Sequence, residues 1–165
     1  MHTRAINLRH GPTILVRPLR DGDVATVRAV FEQLGDESRR ARFNGPKPCL
    51  SEAELEQLAT VDSSHHALVA HLESDPKPIA IARLVRNERA SAEIAFAVAD
   101  QHQHHGIGSA LAAELIADAR AAGITEITAL AGSDNRAALA LIRRTADVLD
   151  VRFEGPELSI RAAIA

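Results

Sequence analysis

The spacing of apolar positions changes period several times along this chain, and each change marks an element. "TILVRPLR" (13–20) alternates apolar and polar residues, the period of two of a half-buried strand, and Pro18 closes it. "DGDVATVRAVFEQLG" (21–35) then places Val24, Val27, Val30, Phe31 and Leu34 at helical spacing, with an aspartate cap before them and a glycine after. "DESRRARFNGPKP" (36–48) predicts one further short helical turn before a Gly-Pro loop. In "SEAELEQLAT" (51–60), Ser51 stands three residues before Glu54, the signature of a capping box, so a second amphipathic helix is expected. Period two returns in "HALVAHLE" (66–73), "IAIARLVR" (79–86) and "AEIAFAVA" (92–99), joined by the short turns "SDPKP" and "NERA"; connections this short predict an antiparallel meander.

Beyond residue 100 the order changes. Ile107, Leu111, Leu115 and Ala119 recur every four residues and Gly123 follows, so 106–122 reads as a helix. "ITEITALAG" (124–132) reads as a strand, "DNRAALALIRRTA" (134–146) as a helix, and 148–164 as a hairpin around Gly155-Pro156. The predicted order, β-α-α-β-β-β-α-β-α-β-β, is that of an α/β (α+β layered) sandwich with a mixed sheet. With no internal repeat or long linker, residues 1–165 are expected to form one domain.

Composition narrows the function without naming it. An apolar content of 46% in 165 residues supplies one core. "MHTRAINLRHGP" lacks the apolar segment of a signal peptide, and no apolar run reaches the roughly 20 residues of a membrane span. A lone cysteine, Cys49, suits a reducing compartment, so a cytoplasmic protein is expected. The formal charge of −3, four Phe, no Trp and no Tyr argue against a nucleic-acid partner. The absence of tyrosine also removes a common catalytic acid.

The densest local chemistry is "HQHHGIG" (102–108), three histidines and two glycines between a strand and a helix. A zinc site needs three or four ligands in tetrahedral array; no cysteine lies near and no helical H-x-x-x-H pair is present, so no metal is expected. A helix start offers unpaired amides and the positive end of the dipole, and glycine lets a phosphate approach the backbone. Gln103-x-x-Gly106-x-Gly108 is neither a Walker A loop nor a dinucleotide fingerprint, and by itself it is a short pattern that recurs by chance.

Its setting is more specific. "AEIAFAVAD", then "QHHGIG" at a helix start, then "SDNRAALALI" opening the next helix, resembles the GNAT superfamily of N-acetyltransferases, as does the strand-to-helix start "VRPLRDGD". Within that superfamily, "LRHGPTILVRPLRDGD", "FEQLGDESRRARFNGPKPCLSEAELEQLATVD" and "ALVAH" are similar to the acetyltransferase domain of bacterial Pat-type protein lysine acetyltransferases. In that group the domain is often fused to a nucleotide-binding or acyl-CoA-synthetase-like module, neither of which is read in these residues. The resemblance implies a GNAT-like fold with a mixed, mostly antiparallel sheet flanked by helices on both faces. It also implies an enzyme that takes acetyl-CoA as acetyl donor.

The same resemblance implies site residues. The pantetheine arm would bond the backbone at Phe96, Ala97 and Val98, and Asn135 would contact it from the next helix. The pyrophosphate would sit on the turn made by Gln103, His104, His105, Gly106, Ile107, Gly108 and Ser109. Where the family often has Gly-Arg, this chain has His104-His105, which replaces a permanent cation with groups that titrate near pH 6.5 in general. Glu93 matches the glutamate of the Pat-like segment and is the candidate general base; strand alternation groups it with Ala95, Ala97 and Ala99, away from Ile94, Phe96 and Val98.

Many family members carry a tyrosine seven residues after the helix-opening asparagine; here that position is Ile142, and "TADVLD" replaces the usual Gly-Phe beyond it. Three readings follow: an acetyltransferase acting on a protein lysine, one acting on a small amine, and a CoA-binding module without turnover. A monomer or a homodimer paired through the terminal hairpin is expected. His65, His66 and His71 read as satisfied or surface histidines, Cys49 as a structural or exposed thiol, and Arg39, Arg40 and Arg42 as a solvated helix face.

Overall fold

A computed structural model describes residues 2–164. Eight strands form one sheet: β1 (Arg4–Asn7), β2 (Thr13–Pro18), β3 (His65–Leu72), β4 (Asp75–Arg86), β5 (Ser91–Val98), β6 (Glu126–Gly132), β7 (Asp147–Glu154) and β8 (Glu157–Ala163). Among the described residues five α-helices accompany the sheet: α1 (Val24–Glu32), α2 (Asp36–Phe43), α3 (Glu52–Ala59), α4 (Ile107–Ala121) and α5 (Arg136–Thr145). The spatial order is β1-β2-β3-β4-β5-β6-β8-β7, and every neighbouring pair is antiparallel except β5 and β6. This is the mixed, mostly antiparallel sheet that the resemblance implies.

Alternation along the central strands separates two cores. Leu68, Ala70, Ala80, Ala82, Leu84, Ala92 and Ile94 point toward α4, where Ile107, Leu111, Leu115 and Ile116 complete an almost fully buried layer. Ala67, Val69 and Ile81 point the other way and pack beneath α1 and α3 with Val27, Val30 and Leu55. Burial is the driving force for both, at about 25 cal/mol per Å² of apolar area removed from water.

Capping explains where the first helices begin. The Asp23 carboxylate accepts from the Thr26 amide at 3.0 Å and from its hydroxyl at 2.7 Å. Ser51 and Glu54 exchange side-chain and backbone bonds at 3.2 and 2.8 Å, the capping box expected from their spacing. Three features depart from expectation. A short strand, β1, precedes the first strand read from the sequence. It is fastened by Arg4, whose guanidinium pairs with Glu114 and with Asp118 of α4. The segment after α1 forms a two-turn helix, α2, and not one turn. Gly35, read as the end of α1, is instead the N-cap of α2; an added Cβ would lie 2.5 Å from Asp100 Oδ2.

Candidate active site

The parallel pairing of β5 and β6 lasts only three rungs, Ser91 with Glu126, Ala92 with Ile127 and Glu93 with Thr128. From Ile94 to Val98, β5 remains bonded to β4 on one side. No β6 residue pairs with it there, so the sheet forks and one edge of β5 is open. Glu93 stands at the last paired rung, exposed, on the face that carries Ala95 and Ala97. Phe96 and Val98 turn toward the opposite core and are partly buried there. An open strand edge is a row of unsatisfied amides and carbonyls, which an extended ligand with its own amides can pair.

At the end of β5 a single 3-10 turn (Asp100–His102) leads into α4. His104 (φ 63°) and Gly106 (φ 87°) both adopt left-handed backbone, and this turns the chain sharply. His104, His105 and Gly106 are exposed, while Ile107 anchors the turn in the core with 1% exposure. Ala110 is the first amide of the helix to bond back, to the Gly106 carbonyl at 3.0 Å. Among the described residues, the amides from His104 through Ser109 have no partner, and they carry the positive end of the α4 dipole. The Gln103 amide already donates to the Asp100 carbonyl, at 3.3 Å. The Gln103 side chain braces the turn, donating to Ser38 Oγ of α2 at 2.9 Å and to the Val98 carbonyl at 3.0 Å. Across the fork, the Asn135 side-chain oxygen caps α5 by accepting from the Ala138 amide at 3.1 Å.

On the Glu93 face, α1, α2 and α3 enclose a small open recess of about 30 Å³. Val27, Phe31, Phe43, Ile81 and Ala97 line it, together with two guanidinium groups, Arg42 and Arg83. Arg83 projects from the middle of β4 and is 6% exposed; its one bond is a long one, 3.3 Å, to the Gln57 carbonyl. Arg42 comes from α2 and lies against the Phe43 ring, 4.9 Å from its centroid. Burial lowers the Arg42 guanidinium to about 10, the charge of Arg83 adds to the fall and Glu93 opposes it. Burial lowers Arg83 as well.

The profile of the Acetyltransferase (GNAT) family matches residues 31–146. The chain belongs to the GNAT acetyltransferase family. It is 35% identical over 136 residues to acetyltransferase Pat of Mycolicibacterium smegmatis, across 80% of this chain and 40% of that protein. It is 30% identical over 135 residues to an acetyltransferase of Pseudomonas aeruginosa, across 79% of this chain and 73% of the other. The GNAT domain of S. lividans PAT superposes with a TM-score of 0.87 at 27% identity, covering 98% of this chain and 96% of that one. The chain thus spans less than half the length of the mycobacterial Pat it matches.

A GNAT enzyme uses acetyl-CoA, and the site suits it: the open β5 edge is extended and polar, and the α4 turn presents unbonded amides to a diphosphate. The histidines read as ordinary in the sequence have partners. His65 Nδ1 lies 2.9 Å from Asp62, His66 Nε2 lies 2.9 Å from Asp118, and His71 Nδ1 lies 2.8 Å from the Leu72 carbonyl. No group of three metal-ligating side chains converges among the described residues. Cys49 is free and exposed.

The arginine cluster departs from expectation. Only Arg40 is exposed; Arg39 stacks 4.3 Å over Phe31 and donates to the Pro48 carbonyl, and Arg42 enters the recess. Arg83 escaped the sequence reading altogether. Its one signal is a charged residue inside the apolar run "IAIARLVR", a pattern that a solvated strand face explains equally well.

Proposed function

We propose that the protein transfers the acetyl group of acetyl-CoA to a lysine side chain of a protein, with Glu93 as the base. The observation that carries this is the position of Glu93 at the fork where β5 parts from β6, with small side chains beside it on the same face. Likeness to the Pat-type group supports the lysine acceptor. The backbone of Phe96, Ala97 and Val98 would hold the pantetheine arm, the amides from His104 to Ser109 the diphosphate, and the Asn135 side-chain amide the near end of the arm.

A lysine ammonium, with a reference value of about 10.4, must lose a proton before it can attack. Glu93 takes that proton directly or through a water. The neutral amine then attacks the thioester carbonyl, the C–S bond breaks, and an amide and the CoA thiolate are formed. Solvent protonates the thiolate, because Ile142 stands where relatives often carry tyrosine and is 2% exposed, packed into the α4 core. A thiol of pKa about 8.5 leaves without a dedicated acid. We place this reaction in the cytoplasm, where a free thiol such as Cys49 stays reduced.

Glu93→Gln is expected to lower CoA release on protein acceptors by about 100-fold or more while calorimetric acetyl-CoA affinity is unchanged. Equal activity in the variant removes Glu93 from the mechanism. Tight acetyl-CoA binding with no turnover on any amine would identify a binding module instead.

A further inference from the structure

We infer that Arg42 and Arg83 form an anion-holding subsite, and that the lysine this enzyme modifies is flanked by an acidic side chain whose carboxylate enters the recess between them. The inference rests on the lysine acceptor proposed above and adds what lies beside that lysine.

Two guanidinium groups meet in the recess: Arg83 is buried, Arg42 is half-buried, and the charge of Glu93 acts on Arg42 without an ion pair between them. Among the described residues neither guanidinium makes an ion pair, and Arg42 makes no hydrogen bond at all. Both line one largely apolar recess, where the charge of Arg83 disfavours that of Arg42. Charges removed from water are ordinarily paired, because solvation lost on burial is recovered only from an opposite charge or hydrogen bonds. Two like charges in one apolar recess cost stability, and an anion bound between them offsets that cost.

Their position places that anion beside the chemistry. Glu93 pairs with Val85 and Ala95 with Arg83, so Glu93 and Arg83 are diagonal neighbours on one sheet face, about 7–8 Å apart. A carboxylate bonded to Arg83 would therefore lie one side chain's length from an amine at Glu93. The guanidinium fork matches a carboxylate in two parallel bonds, which makes it selective for planar anions. The other side chains of the recess are apolar, so within it the two guanidinium groups are the partners a carboxylate would find.

Peptides carrying one lysine beside glutamate, or beside glutamine as its neutral isostere, test the inference with the intact chain. The glutamate peptide is expected to exceed the glutamine peptide in kcat/KM by about tenfold or more, mainly through KM. Arg42→Met and Arg83→Met should each remove most of that preference, read as the ratio of kcat/KM for the two peptides within each variant. Equal use of the two peptides overturns the subsite, as does a preference that survives both substitutions. A fall in kcat on both peptides with a displaced acidic limb of the pH profile also overturns it, since the arginines would then act through Glu93.

Nα-acetyl-lysine and its amide separate the two levels of inference. If the free carboxylate is preferred while peptides are not acetylated, the subsite stands and the protein acceptor falls. A measurement that needs no turnover closes the test: glutarate should raise the melting temperature of the wild type with CoA bound, and the shift should vanish in both variants. No shift in the wild type overturns the subsite whatever the acceptor.

Discussion

At the scale of single residues, the turn before α4 shows what a substitution costs and why. Relatives often place glycine where this chain has His104, and the backbone there is left-handed, with φ 63°. A side chain in that region costs roughly 1–2 kcal/mol, offset in part by the greater entropy that glycine loses on folding. His104→Gly is therefore expected to raise unfolding free energy by about 0.5–1 kcal/mol in a urea titration. Gly106, with φ 87° and open space around it, gives the reverse case: Gly106→Ala should lower stability by about 1 kcal/mol or more, through backbone strain alone. His104 and His105 remain in the cradle as exposed imidazoles in place of a permanent cation.

Individual elements were legible in proportion to how locally they are specified. Caps at Asp23 and Ser51, the four-residue spacing of α4 and the alternation of β3 to β5 are properties of neighbouring residues, and they appear as read. β1 and α2 are specified from a distance. "RAIN" is four residues long and owes its place to Arg4 reaching α4. α2 buries no residue fully, and its polar sequence hides the fact that Arg39 and Arg42 turn inward. The open edge of β5 and the sharp turn before α4 fall in segments that a motif marks, whereas Arg83 has no such mark, because nothing local shows which strand face α3 covers.

Local specification has a measurable pH dependence. Burial alone would push the Asp23 carboxyl up, but bonds from Thr26 and the charges of Arg17 and Arg20 outweigh it and hold the group below its ordinary value. The unfolded carboxyl titrates near 3.9, so the cap stabilises fully above that value and its contribution is lost as pH falls through the lower, folded value. Asp23→Ala should cost about 1 kcal/mol at pH 7. The gap between variant and wild type should narrow progressively in denaturant titrations taken below about pH 4.

On the scale of the whole molecule, the fork in the sheet sorts the chemistry into two halves. The α4 side carries the turn with its unpartnered amides, the α1–α3 side carries the recess with Arg42 and Arg83, and α2 lies across the mouth in contact with both β5 and β6. Two bonds tie the halves together at α2. Asp100 caps the helix, accepting from the Gly35 amide at 3.0 Å, and Gln103 donates to Ser38 Oγ at 2.9 Å. Both tethers come from the segment that leads into the turn before α4, so a ligand that fixes the turn also fixes the helix bearing Arg42. The coupling can be no larger than the bonds that carry it, about 0.5–1.5 kcal/mol for one neutral hydrogen bond. Ser38→Ala removes one tether from the α2 side and leaves Gln103 bonded to the Val98 carbonyl. Acetyl-CoA affinity should then stay within about twofold, while KM for the acceptor rises about two- to tenfold. Hydrogen exchange supplies the second readout: acetyl-CoA should slow exchange across residues 39–45 in the wild type and do so less in Ser38→Ala. Equal protection in the two proteins would mean that donor and acceptor halves bind independently, and that α2 is positioned by its packing on Phe31 alone.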